Sequence, residues 1–202
     1  MKVYLLRHGR TRGNEEHRYV GRTDEPLTKQ ARESLRAKGA AAEGIVRPDV
    51  LYVSPLLRCR ETAGILFPGQ EQIVVDALRE CDFGEFEDMN YVELNGRPDY
   101  QRFLDSGGEC GFPGGETKRE FQDRCVGGFL GVIAPELERQ SDRQLFFVVH
   151  GGTIMAILDR FSDPHRDYYD WQTGNGSGYA AEVSWDKGTG RLTLEHIAEI
   201  NE

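Results

Sequence analysis

The chain has 202 residues, 38% hydrophobic and 29% charged, enough for one ordinary globular core, so residues 1–202 are expected to form a single domain. Its 25 Lys and Arg stand against 34 Asp and Glu, a formal net charge of −9. That balance argues against a sequence-independent grip on nucleic acid, which needs a net basic surface, but a local arginine cluster can still hold a small anion.

Lys2 to Leu6 is predicted to be a buried strand, running into Arg7, His8 and Gly9. Thr28 is placed to cap a helix whose Ala31, Leu35, Gly39 and Ala42 recur near i, i+4 spacing. "PDVLYVSP" gives a second short strand, ended by Pro55, and a helix is expected over 56–67. "QIVVD" gives a third strand. The segment 82–116 is rich in Gly, Asp, Glu, Asn and aromatic residues, with short helical pieces at 87–94 and 98–105, and reads as an insert that lids a site. A capping box from Thr117 to Glu120 opens a helix with an apolar stripe of Phe121, Cys125, Phe129 and Val132, weakened by Gly127, Gly128 and Gly131. "QLFFVVHGG" is nearly all apolar, as in a strand covered on both faces. "SGYAAEVSWD" and "RLTLEHIAEI" are two further strands, joined by a turn at Lys187-Gly188-Thr189-Gly190. The alternation predicts an α/β fold: three α/β/α layers around a mostly parallel sheet of about six strands, with the small insert over the site.

No apolar run approaches bilayer-crossing length. The N-terminus shows no basic region followed by an apolar stretch and a small-residue cleavage site. Cys59, Cys81, Cys110 and Cys125 form neither C-x-x-C nor a zinc-finger spacing. The expectation is a cytoplasmic chain with free thiols and neither membrane nor nucleic-acid partners.

In open α/β sheets, ligands sit beyond the carboxyl ends of the strands. Arg7 and His8 stand at one such end, Arg58 one helical turn past another, Glu80 beyond the third strand, and His150 at the end of the fourth. Gly151, with Gly152 and Thr153, opens a helix there. Such a set suits a phosphoryl dianion: arginine forks match its oxygens, a helix start offers free N–H groups, and Gly9 lets the backbone come close. One imidazole can attack phosphorus while the other donates a hydrogen bond. A cation about 5 Å away costs a protonated His8 about 3 kcal/mol at an effective dielectric of 20, or roughly two pKa units, so Arg7 and Arg58 keep it neutral. No metal is required for such a transfer.

"LLRHGRT", "GRTDEPLT", "SPLLRCRETA", "LRECDFGEFED" and "VVHGGTI" together resemble the histidine phosphatase superfamily, relatives of cofactor-dependent phosphoglycerate mutase, from residue 3 to about 157. The resemblance implies that the ε nitrogen of His8 becomes phosphorylated, that Arg7, Arg58 and His150 hold the phosphate, and that Glu80 protonates the leaving oxygen before water releases phosphate. Thr11, Asn14 and Arg18 match positions that line or support the pocket, and Arg22 sits in a loop that meets substrate. Asp82, Glu85 and Glu87 are alternatives for the acid. Asp88 stands where the family usually has glycine, and the extra arginine and lysine cluster of mutases is missing.

The function expected is a metal-independent phosphomonoesterase acting on a small phosphorylated metabolite, without a cofactor, as monomer or homodimer. The branch most resembled holds α-ribazole phosphatase, phosphoserine phosphatase and broad-specificity enzymes. A phosphoglycerate mutase is the first rival. A phosphate-binding regulatory module without turnover is the second. His17, His165, His196 and Arg60 are expected at the surface, Tyr168, Tyr169 and Trp171 in packing, and Glu116 bracing an active-site arginine.

Overall fold

The computed structural model describes residues 1–41, 47–140 and 142–200. Six strands form one sheet, β1 (Lys2–Arg7), β2 (Val50–Val53), β3 (Gln72–Val74), β4 (Gln144–Val149), β5 (Gly178–Asp186) and β6 (Arg191–Ile200), in the order β3-β2-β4-β1-β5-β6. The pairs β3-β2, β2-β4 and β4-β1 are parallel, and β1-β5 and β5-β6 antiparallel. The sheet is therefore mostly parallel, with antiparallel pairs at one edge.

Successive strand residues point to opposite faces, and the sequence uses both. Leu145, Phe147 and Val149 of β4 join Val3 and Leu5 of β1 and Tyr52 of β2 in one cluster. Phe146 and Val148 join Leu6, Leu51 and Val53 in the other. The first face is covered by α6 (Lys118–Glu138) and α7 (Gly151–Phe161), through Phe129, Ile133, Ile154 and Ile157. The second is covered by α3 (Leu57–Leu66), through Cys59 and Ala63. The helix α2 (Lys29–Ala41) lies outside α3, with Leu27, Ala31 and Leu35 against Ile65 and Leu66. Three α/β/α layers result. None of the described helices is long and apolar enough to cross a membrane.

Thr28 caps α2, its hydroxyl accepting from the Ala31 amide at 3.2 Å. Ala42, the last residue of the expected stripe, lies outside the described residues. The α6 stripe of Phe121, Cys125 and Phe129 continues in the fully buried Ile133, with Val132 partly buried against the same cluster as Ile133. Gly128 there has a packing reason: a Cβ would come within 2.6 Å of the Ala77 Cβ in the 3-10 turn Asp76–Leu78. The third strand is short and at the edge, with Ile73 and Val74 exposed.

The insert differs from expectation in its first half. Instead of a helix over 87–94 there is a 3-10 turn at Gly84–Phe86 and a single turn, α4 (Tyr91–Leu94), capped by Asn90. Asp88 breaks the run with φ of 58°, a left-handed backbone that aspartate tolerates better than most residues. The helix α5 (Pro98–Asp105) forms as expected, with proline in its first turn. Phe86, Leu94 and Tyr100 give this segment a small core of its own.

Candidate active site

The register of the two central strands builds the site. Arg7 pairs with Val149, so the next residues, His8 and His150, leave adjacent strand ends together. Their rings lie edge-on, with centroids 5.1 Å apart. The His8 amide donates to the Val149 carbonyl at 3.0 Å, and the Ser54 amide, one residue past β2, donates to Val148 at 3.1 Å. His8 is 4% exposed and His150 is fully buried.

Each ring is fixed by its neighbours. Nδ1 of His8 lies 2.7 Å from the Gly9 carbonyl, which can only accept, so Nδ1 carries the proton and Nε2 keeps its lone pair. Nε2 of His150 lies 2.7 Å from Ser54 Oγ. That hydroxyl also accepts from the Leu56 amide and has its own proton to donate to His150, an arrangement that puts the His150 proton on Nδ1. Both imidazoles are pushed well below the ordinary histidine value, first by burial and then by the Arg58 charge, with Arg7 weaker. Burial, which the arginine argument from sequence left out, is the larger cause.

Two guanidinium groups stand beside these rings. Arg58, 1% exposed, donates to the carbonyls of Thr23 at 2.8 Å, Gly21 at 2.9 Å and Val20 at 3.2 Å. Arg7 donates to the Thr173 carbonyl at 2.6 Å and lies against Gly151, where a Cβ would meet its guanidinium carbon at 3.4 Å. Nε of each arginine is buried without a hydrogen-bond partner. Buried cations with an unsatisfied donor are costly unless an anion completes them. The α7 amide terminus begins at the same place, with His150 as its N-cap residue and no side chain capping it.

Glu80 lines a cavity of 490 Å³ with Arg7, Gly151, Gly152 and Met155. Its Oε1 accepts from the Cys81 amide at 3.0 Å. Burial pushes its carboxyl above the usual range, with Arg58 and Arg7 opposing. The alternative acids are engaged elsewhere: Asp82 caps the Gly84 amide and pairs with Arg22, and Glu85 pairs with Arg97. Glu87 accepts from the amides of Gly21, Arg22, Thr23 and Phe83 and from the Thr23 hydroxyl.

The remaining residues separate into groups. Thr11 caps α1 (Arg12–Glu15), and Asn14 Oδ1 accepts from the Thr11 amide and from Asn175, which also donates to the His8 carbonyl. These residues brace the backbone behind His8. The Arg18 guanidinium is held by Glu16, Glu93 and the Asp88 carbonyl, tying its loop to the insert. Arg22 is largely exposed, pairs with Asp82 at 3.4 Å and lines no cavity beside Glu80. His17, His165, His196 and Arg60 are exposed. Trp171 packs on Tyr179, but Tyr168 and Tyr169, expected in packing, border a second cavity beside Glu80.

Sequence reasoning missed Ser54, Arg124 and Asn175, and named Glu87 only as an alternative acid. Ser54 had a signal, since it stands one residue past a strand like both histidines. Arg124 had none. It forms a bidentate pair with Glu116 at 2.6 and 2.7 Å and donates to the carbonyls of Ala77, Arg79 and Glu80. The arginine that Glu116 braces is therefore one that holds the backbone of Glu80.

Comparisons with known proteins agree with this architecture. Residues 3–196 match the family model described as the histidine phosphatase superfamily, branch 1. "2,3-bisphosphoglycerate-dependent phosphoglycerate mutase 2" of Gloeobacter violaceus is 31% identical over 167 residues, 77% of this chain and 73% of that protein. "Uncharacterized phosphatase PhoE" of Bacillus subtilis is 29% identical over 162 residues, 79% and 77% of the two chains. A structure described as a putative alpha-ribazole-5'-P phosphatase from Escherichia coli superposes with a TM-score of 0.81 at 22% identity, covering 100% of this chain and 96% of that one, which shows a common fold. Strand register, paired imidazoles, arginine cluster and family model thus coincide, and the chain belongs to the histidine phosphatase superfamily, as an enzyme of phosphatase or mutase type.

Proposed function

We propose that this enzyme hydrolyses a small phosphate monoester through a phosphohistidine at His8 without help from a metal. Nε2 of His8 attacks phosphorus, the P–O bond to the alcohol breaks, and Glu80 gives its proton to the departing oxygen. Water then attacks the phosphohistidine, Glu80 takes back a proton, and inorganic phosphate leaves. The Nε–H groups of Arg7 and Arg58, the α7 amide terminus and the Nδ1–H of His150 receive the phosphoryl oxygens, which carry most of the charge in the transition state. The observation that carries this reading is the pairing of a His8 proton fixed on Nδ1 with two buried, unpartnered arginine donors beside it.

His8→Ala tests it. Turnover of phosphate monoesters should fall to background while inorganic phosphate still binds, because both arginines remain. Intact-mass measurement after rapid quenching should find one phosphoryl group on the wild-type chain and none on the variant. Appreciable turnover by the variant would end the assignment.

A mutase is the second reading, favoured by the name of the Gloeobacter relative. A coupled enolase assay with a bisphosphate primer separates the two. The phosphatase releases inorganic phosphate from the substrate, whereas a mutase mostly returns it as the isomer.

A further inference from the structure

We propose that the leaving group enters the second cavity beside Glu80, and that the substrate is therefore the phosphate of an alcohol bearing an uncharged aromatic ring. This inference rests on the phosphomonoesterase reading above. The cavity, about 370 Å³, shares Glu80, Gly152 and Met155 with the phosphate site, so the acid stands at the junction of the two. A leaving oxygen next to Glu80 directs the rest of its alcohol into this space.

Its lining is largely aromatic. Tyr19, Phe83 and Phe112 form one group of touching rings, with Phe83 edge-on to Tyr19 at 5.2 Å and to Phe112 at 4.9 Å. Phe121, Tyr168 and Tyr169 also line it, the two tyrosines edge-on at 5.0 Å. Tyr168 is tied to the phosphate site through its hydroxyl, which donates to the Gly152 carbonyl at 3.5 Å. Tyr19, Phe83 and Phe112 are half-buried and already braced by one another, so a planar guest gains contact without first ordering its host.

Charge points the same way. Among the described residues Lys118 is the only cation lining the cavity, and its Nζ is engaged: it lies 5.3 and 5.1 Å from the ring centres of Tyr168 and Tyr169, and 3.8 Å from Glu109. No arginine lines the cavity. A leaving group with a carboxylate or second phosphate would lose its water there without a free guanidinium in exchange.

Three primary alkyl esters with similar leaving oxygens provide the test: propyl phosphate, 3-phenylpropyl phosphate and 3-phosphooxypropanoate. The phenyl ester should exceed the propyl ester in kcat/KM by about tenfold or more, the order expected for burying one ring among aromatic faces. The carboxylate ester should fall below both. In Phe83→Ala the phenyl-to-propyl ratio should drop several-fold, on the order expected for one lost ring contact. Since Phe83 also packs within the insert, Tyr169→Ala, at a 59% exposed ring, is the companion variant and should lower the same ratio. Equal kcat/KM for the phenyl and propyl esters, or a preference for the carboxylate ester, would overturn the inference while leaving the phosphatase reading intact. Hydrolysis of none of the three would overturn that reading, and this one with it.

Discussion

Nδ1 of His8 lies 2.7 Å from the Gly9 carbonyl, so the one proton of the neutral ring is held there and Nε2 keeps its lone pair for the proposed attack. The ring stays neutral because burial and the Arg58 charge depress its pKa, which moves the acid limb of kcat/KM below the ordinary imidazole value of about 6.5. Glu80 is shifted upward by burial, so it keeps its proton above the usual carboxylate value of about 4.3, and in the proposed mechanism its ionisation sets the alkaline limb. The same shifts act on stability with opposite signs. The histidine contribution is present above about pH 6.5 and is lost as pH falls through the depressed folded value, because unfolded imidazoles take protons that the folded ones refuse. The Glu80 contribution is present below about pH 4.3 and is lost as pH rises through its raised value. Glu80→Gln should therefore slow alkyl phosphates by about 10²–10⁴-fold and remove the alkaline limb. It should slow 4-nitrophenyl phosphate far less, since nitrophenolate departs without a proton. Equal slowing of both ester types would move the acid to another residue.

The element that holds Arg58 is the loop over residues 20–23. Its carbonyls take both terminal nitrogens of the guanidinium, and Glu87 in turn gathers the amides of Gly21, Arg22 and Thr23. Gly21 is required in that loop, because a Cβ would run into the Cys81 carbonyl and the Glu87 carboxylate. In the proposed mechanism Glu87 is thus a positioning residue that acts through Arg58. Glu87→Gln keeps one acceptor oxygen and loses the other, at a cost of about 1–3 kcal/mol to the groups left unpaired. The expected result is a fall in kcat/KM of about 10–100-fold for phosphate esters, reading that cost through the transition state. In an Arg58→Ala background the same substitution should change little, and a double-mutant cycle measures that coupling. Independent effects of the two substitutions would reduce Glu87 to a purely structural role.

Over the whole molecule, the sheet is the device that brings these pieces together. Phe147 lies in β4, fully buried, with Tyr52 stacked at 5.0 Å and Phe129 at 5.3 Å. It ties β4 to β2 and to α6 three residues before His150. Phe147→Ala should cost about 3–5 kcal/mol, the range for removing a buried phenyl group, as measured by urea unfolding. Turnover should fall in the variant even at temperatures where it remains folded, because the strand that aims His150 has lost its packing. A stability loss below about 1 kcal/mol would mean that this face of the sheet is not the main core.

The local chemistry was written in the chain. Short apolar runs specified the strands, their ends placed Arg7, His8 and His150, and the Thr28 cap and the Thr117–Glu120 capping box marked helix starts, because each of these depends on neighbours only a few residues away. Even the exposed histidines and Arg60 were legible as surface residues. What only the tertiary structure decided is which distant groups meet: Ser54 on His150, Glu87 on the loop that grips Arg58, Arg124 on the backbone of Glu80, and Tyr168 and Tyr169 around a cavity instead of in the core. The three hydrogen bonds span 96, 66 and 44 residues of chain. No periodicity encodes such a distance; the stacking of helices and insert on a common sheet sets it.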